Sequence, residues 1–360
     1  MAPLVVVLAQ PFKGSLTSHE VGVGLSRGVA ATGCRCHLLF ASDGGDGLLE
    51  ALALERRTAH RVTGPRGAPV DAEIGWLDPR TAVVESRLAC GLALLPSAER
   101  DPTVTTTRGV GELVGHAAAA GARAVFVGIG GSATMDGGLG LARAWGWEAM
   151  DAQGVPLPDG GGALSALARL VPGTPPPARL VGLADVRNPL LGAEGAAVYA
   201  AQKGAAAAQT QRLVEGLARL VTVTEPWGGP ALAAREGAGA AGGLGFGLLC
   251  FGGARLEAGA AWVLDRIGFA QALKGASLVL VAEGSFDATS LAGKLVGEAI
   301  ARAQAHAVPA AVVAPRASAR PPGVVVESGG ESWWDVPQLA AHASRAVRRA
   351  LKLPPGEPPG

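Results

Sequence analysis

A chain of 360 residues is long enough for two domains of ordinary size, since one domain usually takes about 150 residues. Hydrophobic residues make up 49% of the chain and charged residues 17%, which excludes an intrinsically disordered protein. The formal net charge of +1 gives no global electrostatic basis for binding nucleic acid or an anionic membrane surface, so any bound anion must be held by local groups.

The first predicted element is a buried β-strand at residues 4–9, where the apolar run LVVVLA is rich in β-branched residues. No basic residue precedes this run, so it is not typical of a signal peptide and we expect a cytoplasmic protein. A helix is predicted to begin after Thr17, because Glu20 follows at the spacing of a capping box. A second strand at 36–41 leads into the loop SDGGDG and a predicted helix, LLEALALE.

The middle of the chain has a different pattern. Between residues 61 and 95, the turn signals PRG and LDPRT separate alternating runs, which predicts antiparallel hairpins. A strand at 124–127 then leads into the loop GIGGSATMDGG and a short helix. Helical segments rich in alanine and glycine follow from residue 160 to about 275.

The last part of the chain returns to the first pattern. A strand at 278–282 precedes the loop EGSFDATSLAGK, a helix that ends near His306, and a strand at 310–314. This order of elements predicts a parallel α/β sheet, with ligands at the carboxyl ends of the strands. We therefore predict two domains, one formed by residues 1–65 and 275–360 and the other, an inserted mixed α/β domain, by residues 66–274.

Neither a zinc site nor a membrane span is expected. The four cysteines, at positions 34, 36, 90 and 250, form one C-x-C pair with no second pair, so we expect them to be reduced and structural. The longest uncharged stretch, residues 237–254, contains eight glycines and is too weakly apolar to cross a bilayer.

Three predicted strands are followed by an acid: Asp43, Asp185 and Glu283. One such acid could equally cap a helix, but three together favour a functional site. Phosphoryl transfer needs acids that hold Mg²⁺ and orient the acceptor hydroxyl, and cations that neutralise phosphate. The candidate cations each lie beside a glycine: Lys13, Lys203 and Lys294.

The loop GIGGSATMDGG is the best candidate for holding phosphate, because successive backbone N–H groups before a helix can form an anion nest. It lacks the Walker A order, but it does match G-x-G-x-x-A, with Glu148 and Asp151 about 20 residues further on. A nicotinamide-dependent dehydrogenase of a small hydroxy acid is therefore an alternative, and a non-catalytic small-molecule binder is another. A second match, GAGAAG at 237–242, indicates either helix packing or a loop near substrate.

Eight blocks resemble, in the same order, the signatures of the type I glycerate kinases. The resemblance runs from about Gln10 to Gly297, and the blocks are PFKGSLTSHEV, ASDGGDGLLEAL, GVGELV, GIGGSATMDGGLGLARA, ADVRNPLLGAEGAA, AQKGA, GAGAAGGLGFGLL and AEGSFDATSLAGK. It implies an ATP- and Mg²⁺-dependent kinase that converts glycerate to 2-phosphoglycerate. It also implies a Rossmann-like domain formed by both chain ends, an inserted α/β domain and a cleft between them.

The resemblance also implies roles for individual residues. Asp185 would orient or deprotonate the glycerate hydroxyl, with Asn188 beside it, while Lys13 and Lys203 would neutralise carboxylate and phosphate. Asp136 could belong to the site or cap the following helix. The predicted metal ligands are Asp43, Glu283 and Asp287. The other predicted substrate- or phosphate-binding residues are Ser15, Gly130, Gly131, Ser132, Thr134, Asn188, Gln202 and Lys294.

The chain departs from the family pattern at four positions. The family usually has Asp, Glu, Asn and Gly where this chain has Gln10, Asp46, Met135 and Ala282. The first change removes one acid near the predicted site, so another small hydroxy acid could be the acceptor. The expected partners are glycerate and ATP, without nucleic acid, and the resemblance leaves a homo-oligomer open.

Overall fold

The computed structural model describes residues 1–12, 15–330 and 334–354. The strands are β1 Leu4–Ala9, β2 Arg35–Phe40, β3 Arg56–Thr63, β4 Pro69–Asp78, β5 Thr81–Glu85, β6 Ala124–Gly128, β7 Glu148–Met150, β8 Arg169–Val171, β9 Arg179–Ala184, β10 Arg255–Ala258, β11 Leu278–Ala282, β12 Ser285–Phe286, β13 Ala310–Ala314, β14 Arg316–Ala317 and β15 Val324–Ser328. The helices are α1 Ser18–Ala30, α2 Leu48–Ala51, α3 Arg87–Cys90, α4 Arg108–Ala119, α5 Leu139–Arg143, α6 Ala207–Val223, α7 Gly229–Ala233, α8 Ala240–Gly252, α9 Gly259–Arg266, α10 Phe269–Ala272, α11 Leu295–Ala305 and α12 Val336–Leu351.

The chain divides into two compact units. The first unit comprises the described residues of Met1–Asp43, Glu50–Ala53 and Gly259–Gly360, and the second comprises Gly44–Leu49 and Leu54–Ala258. Among the described residues, no helix is long and apolar enough to cross a membrane. The mixed α/β fold class predicted from the sequence is confirmed by these elements and by the sheets that they form.

The first unit contains a five-stranded parallel sheet in the order β15-β13-β11-β1-β2. Strand β1 is buried on both faces, because Val6 and Leu8 belong to one hydrophobic core and Val5, Val7 and Ala9 to another. This two-sided burial explains its uninterrupted apolar sequence. Helix α1 begins with the predicted capping box of Thr17 and Glu20.

The second unit contains a six-stranded mixed sheet in the order β10-β9-β6-β5-β4-β3. The predicted hairpins are confirmed, since β3, β4 and β5 pair in antiparallel order. Strands β5, β6, β9 and β10 are parallel, so their carboxyl ends lie at one edge of the sheet. One large core that includes Ile74, Leu113 and Phe246 packs around this sheet.

Two details differ from the sequence predictions. The predicted helix LLEALALE is helical only over Leu48–Ala51, because the chain enters β3 at Arg56. The compact units divide at residues 54 and 259 rather than at 66 and 275. Strand β3 pairs with β4, and helices α9 and α10 contribute to a core of the first unit. The assignment of two functional domains stays a prediction.

Candidate active site

The glycine-rich loop, residues 129–138, follows β6 in the second unit and is tied to the segment after β5. The backbone N–H of Leu92 donates to the carbonyl of Gly131 at 2.8 Å, and that of Ala133 donates to the carbonyl of Cys90 at 2.8 Å. Because both hydrogen bonds join the loop to the backbone of the segment that follows the neighbouring strand β5, that segment fixes the path of the loop.

Two glycines let this loop pack against its surroundings. Gly131 has a φ of +61°, and a Cβ there would lie 2.3 Å from Oδ1 of Asp46. Gly242 has a φ of +69° in the left-handed break at 241–243 of α8, and its Cβ would lie 1.9 Å from the carbonyl oxygen of Thr134. The carbonyl of Gly242 also accepts a 3.1 Å hydrogen bond from the N–H of Gly137. The segment GAGAAG was predicted to serve either in helix packing or in a loop near substrate, and these close contacts support packing.

Lys203 is buried behind the loop, with 5% of its surface exposed. Its ammonium donates to Oγ of Ser132 and to the carbonyl oxygen of Thr134, both at 2.8 Å. Burial lowers the pKa of Lys203 to about 8, and the nearby Asp136 carboxylate opposes that shift. The sequence predicted a direct role in neutralising substrate, whereas both hydrogen-bond acceptors of this ammonium lie on the loop.

Asp136 connects the loop to two helix starts. Its carboxylate accepts hydrogen bonds of 2.8–3.1 Å from the N–H and hydroxyl of Thr107 and from the N–H groups of Gly138 and Gly140. Burial raises the pKa of Asp136, and these hydrogen bonds oppose the rise. Of the two roles left open by the sequence, capping is the one that the contacts support, because the acid holds the start of α5 and the residue before α4.

Asp185 follows β9 at the same edge of the sheet and is half-buried. The side chain of Asn188 was expected beside this carboxylate. Its Nδ2 instead donates to the carbonyl of Glu194 at 2.7 Å, and its Oδ1 accepts from the hydroxyl of Tyr199 at 3.0 Å. Asn188 therefore organises the segment 188–199. Gln202 is exposed in the 3₁₀ turn that also carries Lys203.

Glu85 is a buried acid at a strand end that the sequence reasoning missed. It ends β5, is 2% exposed, and accepts hydrogen bonds from the N–H groups of Gly47 at 2.8 Å and Leu49 at 3.2 Å. It also forms an ion pair with Arg87. The signal was present in the sequence, because TAVVE is another strand that ends in an acid.

The acid cluster of the first unit comprises Asp43, Glu283 and Asp287. Glu283 follows β11, and its Oε2 atom is buried without a hydrogen-bond partner among the described residues. Burial raises the pKa of Glu283, and the negative charges of Asp287 and Asp43 add to the rise. The nearby Ser290 hydroxyl and the charge of Lys294 oppose it.

Asp287 differs from Glu283 because its carboxylate has hydrogen-bond partners. Its Oδ1 accepts hydrogen bonds from the hydroxyl of Thr289 at 2.6 Å and from the N–H groups of Thr289 and Ser290 at 2.8 and 3.3 Å. The pKa of Asp287 is lowered, chiefly by the Thr289 hydroxyl. Lys294, at the N-terminus of α11, donates to the Thr289 hydroxyl at 3.3 Å.

The remaining predicted residues lie near the start of the chain. Nε2 of Gln10 donates to the carbonyl of Ala282 at 3.1 Å, which joins two of the four positions that depart from the family pattern. Ser15 is exposed, and its N–H donates to the carbonyl of Phe12 at 3.0 Å. Lys13 lies outside the described residues. Within residues 1–12, 15–330 and 334–354, no three or more His, Cys, Asp or Glu side chains form a ready-made metal site.

Comparison with known proteins assigns these residues to a class of enzyme. The model of the glycerate kinase family matches residues 5–353. A glycerate kinase of Bacillus subtilis (strain 168) is 41% identical over 81% of this chain and 79% of its own length. A glycerate 2-kinase of Escherichia coli (strain K12) is 36% identical over 81% of this chain and 79% of its own length.

A solved structure gives the same result. A Salmonella typhimurium LT2 protein, described as a proposed glycerate kinase 2, has a TM-score of 0.77 and 32% sequence identity. The comparison covers 98% of this chain and 99% of that one. The family match, the curated relatives and this structure together show that the chain is an enzyme of the phosphotransferase class. The chain belongs to the glycerate kinase family, as its sequence motifs predicted.

Proposed function

We propose that the protein transfers the terminal phosphoryl group of ATP to glycerate and forms 2-phosphoglycerate. The observation that carries this proposal is the glycine-rich loop with the buried ammonium of Lys203 behind it, in a chain of the glycerate kinase family. Backbone N–H groups and a nearby cation are what a phosphoryl group needs for charge stabilisation. The name of the Escherichia coli relative, a glycerate 2-kinase, supports the 2-phosphate as product.

The remaining polar residues supply the acceptor half of the reaction. The Asp185 carboxylate accepts or orients the hydroxyl proton of glycerate. The proton moves to this carboxylate as the new O–P bond forms and the bond between the γ-phosphorus and the bridging oxygen of ATP breaks, which releases ADP. Lys13 and Lys294 neutralise the carboxylate of glycerate and the transferring phosphate. Gly130, Gly131, Ser132 and Thr134 hold phosphate oxygens, and Ser15 and Gln202 complete the substrate-binding residues. Asn188 supports them by holding the segment 188–199.

The chemistry of the acid cluster fits Mg²⁺, although its three acids, all among the described residues, form no ready-made metal site by themselves. Carboxylate oxygens are the ligands that this ion prefers, and the buried Oε2 of Glu283 lacks a partner among the described residues. Asp43, Glu283 and Asp287 would hold the ion, with water and substrate phosphates supplying the other ligands. When bound, Mg²⁺ neutralises charge on the phosphates during transfer.

The dehydrogenase alternative requires Glu148 or Asp151 to bind the ribose of a dinucleotide, and the contacts of these two acids do not support that role. Oδ1 of Asp151 accepts hydrogen bonds from the N–H groups of Gln153 at 2.9 Å and Val155 at 2.8 Å, so it stabilises its own turn. Glu148 lies in β7, which pairs with β8 in a two-stranded sheet. Neither acid is placed as the ribose-binding acid of a dinucleotide fold, which follows the second strand of the parallel sheet.

The direct test is release of ADP from ATP, measured with and without glycerate and with and without Mg²⁺. A ³¹P spectrum of the product distinguishes the 2-phosphate from the 3-phosphate. ADP release that depends on both additions supports the proposal. NADH turnover without ADP release would establish the dehydrogenase, and tight glycerate binding without turnover would establish the binder. Cytoplasmic location and the oligomeric state stay predictions, for which fractionation and sedimentation are the measurements.

A further inference from the structure

The contacts of Lys203 fix the direction of a hydrogen bond on Ser132. An ammonium has three N–H donors and no acceptor, so Lys203 donates to Oγ of Ser132 at 2.8 Å. The hydroxyl proton of Ser132 must then point to another group. Among the described residues, Oγ of Ser132 accepts this hydrogen bond and donates to no acceptor.

We infer that Lys203 is a positioning residue that acts through Ser132, whose hydroxyl proton it holds toward a phosphoryl oxygen in the glycine-rich loop. This inference rests on the proposed function, in which that loop holds phosphate. The ammonium itself is 5% exposed, and both of its hydrogen-bond acceptors belong to the loop. A hydroxyl that accepts from a cation becomes a stronger donor, because hydrogen bonds in a chain polarise one another where the dielectric constant is low.

The arrangement makes anion binding depend on pH. Burial lowers the pKa of Lys203 to about 8, so the ammonium loses its proton within the mildly alkaline range. A neutral amine can accept a hydrogen bond, and the Ser132 proton then turns toward Lys203 and away from the anion. Affinity for the phosphate group should therefore fall as pH rises through about 8.

Two titratable groups face Lys203. Burial raises the pKa of the Cys90 thiol to about 12, so this group stays neutral while Lys203 titrates. Asp136 already accepts hydrogen bonds from Thr107, Gly138 and Gly140, which hold its carboxylate in place. Replacing Lys203 by Arg, which keeps its charge over this range, tests whether the change in charge belongs to Lys203.

The test is the binding of ATP to the full-length protein, measured by isothermal titration calorimetry from about pH 6.5 to 9.5. We expect wild-type affinity to fall roughly tenfold across this range, as for loss of one charge-assisted hydrogen bond. Ser132→Ala should bind ATP roughly tenfold more weakly at pH 7, because it lacks the hydroxyl that links Lys203 to the phosphate. For the same reason its ATP affinity should no longer fall as pH rises. Lys203→Arg, which stays charged, should keep at pH 9.5 the affinity that the wild type has at pH 7. Ser165→Ala, an exposed serine of the same unit, is the matched control and should behave as wild type.

The outcomes separate this inference from a structural role. A lysine that merely supports the loop would leave the alkaline fall intact in Ser132→Ala, and that result would overturn the inference. An absence of any alkaline fall in the wild type would do the same. If Lys203→Arg does not fold, Ser132→Ala alone decides, since it keeps Lys203 and its bond to Thr134. A protein that binds ATP as described but does not phosphorylate glycerate would contradict only the proposed function.

Discussion

The glycine-rich loop of the second unit and the acid cluster of the first unit both follow parallel strands, yet they are built in opposite ways. Many polar groups in and behind the loop have partners within the protein, among them the Asp136 carboxylate, several backbone N–H groups and the Lys203 ammonium behind the loop. In the acid cluster, Oε2 of Glu283 is buried without a partner among the described residues. The loop therefore contributes to folding, whereas Glu283 is held in an environment that opposes its charge.

This difference indicates which polar groups stabilise the fold and which are left for a ligand to pair with. A paired polar group adds stability and holds its neighbours in place, while an unpaired buried group reduces stability until a ligand satisfies it. Substitutions in the two regions should therefore separate effects on unfolding from effects on activity. Four experiments test that separation.

Asp185 shares a unit with the loop but, like the acid cluster, is an acid that follows a strand. Asp185→Asn should lower kcat by roughly 10² to 10⁴ with little change in melting temperature, because it removes the proton acceptor and keeps the shape. Steady-state kinetics and thermal unfolding of one preparation check both parts. Glu194→Gln, an exposed acid of the same segment, should leave both values unchanged. A near-normal kcat in Asp185→Asn would show that this carboxylate is not the proton acceptor.

Asp136 tests the stabilising side of the comparison. Asp136→Ala should lower the free energy of unfolding by about 3 kcal/mol, because it leaves several buried donors without an acceptor. Denaturant unfolding is the measurement, and Asp136→Asn should recover part of the loss. Asp151→Ala, which removes a similar carboxylate from a more exposed turn, should lose less than about 1 kcal/mol. Equal losses at the two sites would contradict the assignment.

Glu283 tests the unpaired, destabilising member of the comparison. Its raised pKa means that the folded protein retains a proton which the unfolded chain releases, so ionisation reduces stability as pH rises above the usual 4.5. Glu283→Gln should therefore raise the melting temperature at neutral pH and lower apparent Mg²⁺ affinity about 10- to 100-fold.

Asp287→Asn is the matched comparison within the same cluster. The lowered pKa of Asp287 stabilises the fold above its usual pKa, and this contribution is lost as pH falls, so the variant should lower the melting temperature at neutral pH. Melting curves and Mn²⁺ binding by electron paramagnetic resonance measure both effects. A lower melting temperature in Glu283→Gln would contradict the comparison.

The smallest effect is expected at Gln10. Its amide N–H₂ donates to the carbonyl of Ala282, directly before Glu283, and a carboxylate at this position could not. Gln10→Asp should therefore lower the free energy of unfolding by about 1 kcal/mol and change the KM for Mg-ATP a few-fold. Gln10→Asn, which keeps the donor on a shorter side chain, is the control for length. An unchanged KM and stability would show that this bond has no part in holding Glu283.

Local patterns predicted the elements of this protein better than its contacts. The strands at 4–9, 278–282 and 310–314 and the capping box of α1 agree with the structure because they depend on neighbouring residues. The burial of Lys203 was not predicted, because its partner Ser132 lies 71 residues away. Glu85 was missed for the same reason, since its partners Gly47 and Leu49 are 38 and 36 residues away.

The central pairing of the first sheet has a consequence for synthesis on the ribosome. Val5 of β1 pairs with Leu278 of β11, 273 residues later. At about 5–20 residues per second, β1 waits roughly 14 to 55 seconds for this partner, with an apolar edge exposed. Residues 54–258 leave the ribosome within that interval and can form their own core first. Nascent chains that stall before β11 should therefore aggregate or recruit chaperones through β1, although their second unit has already folded.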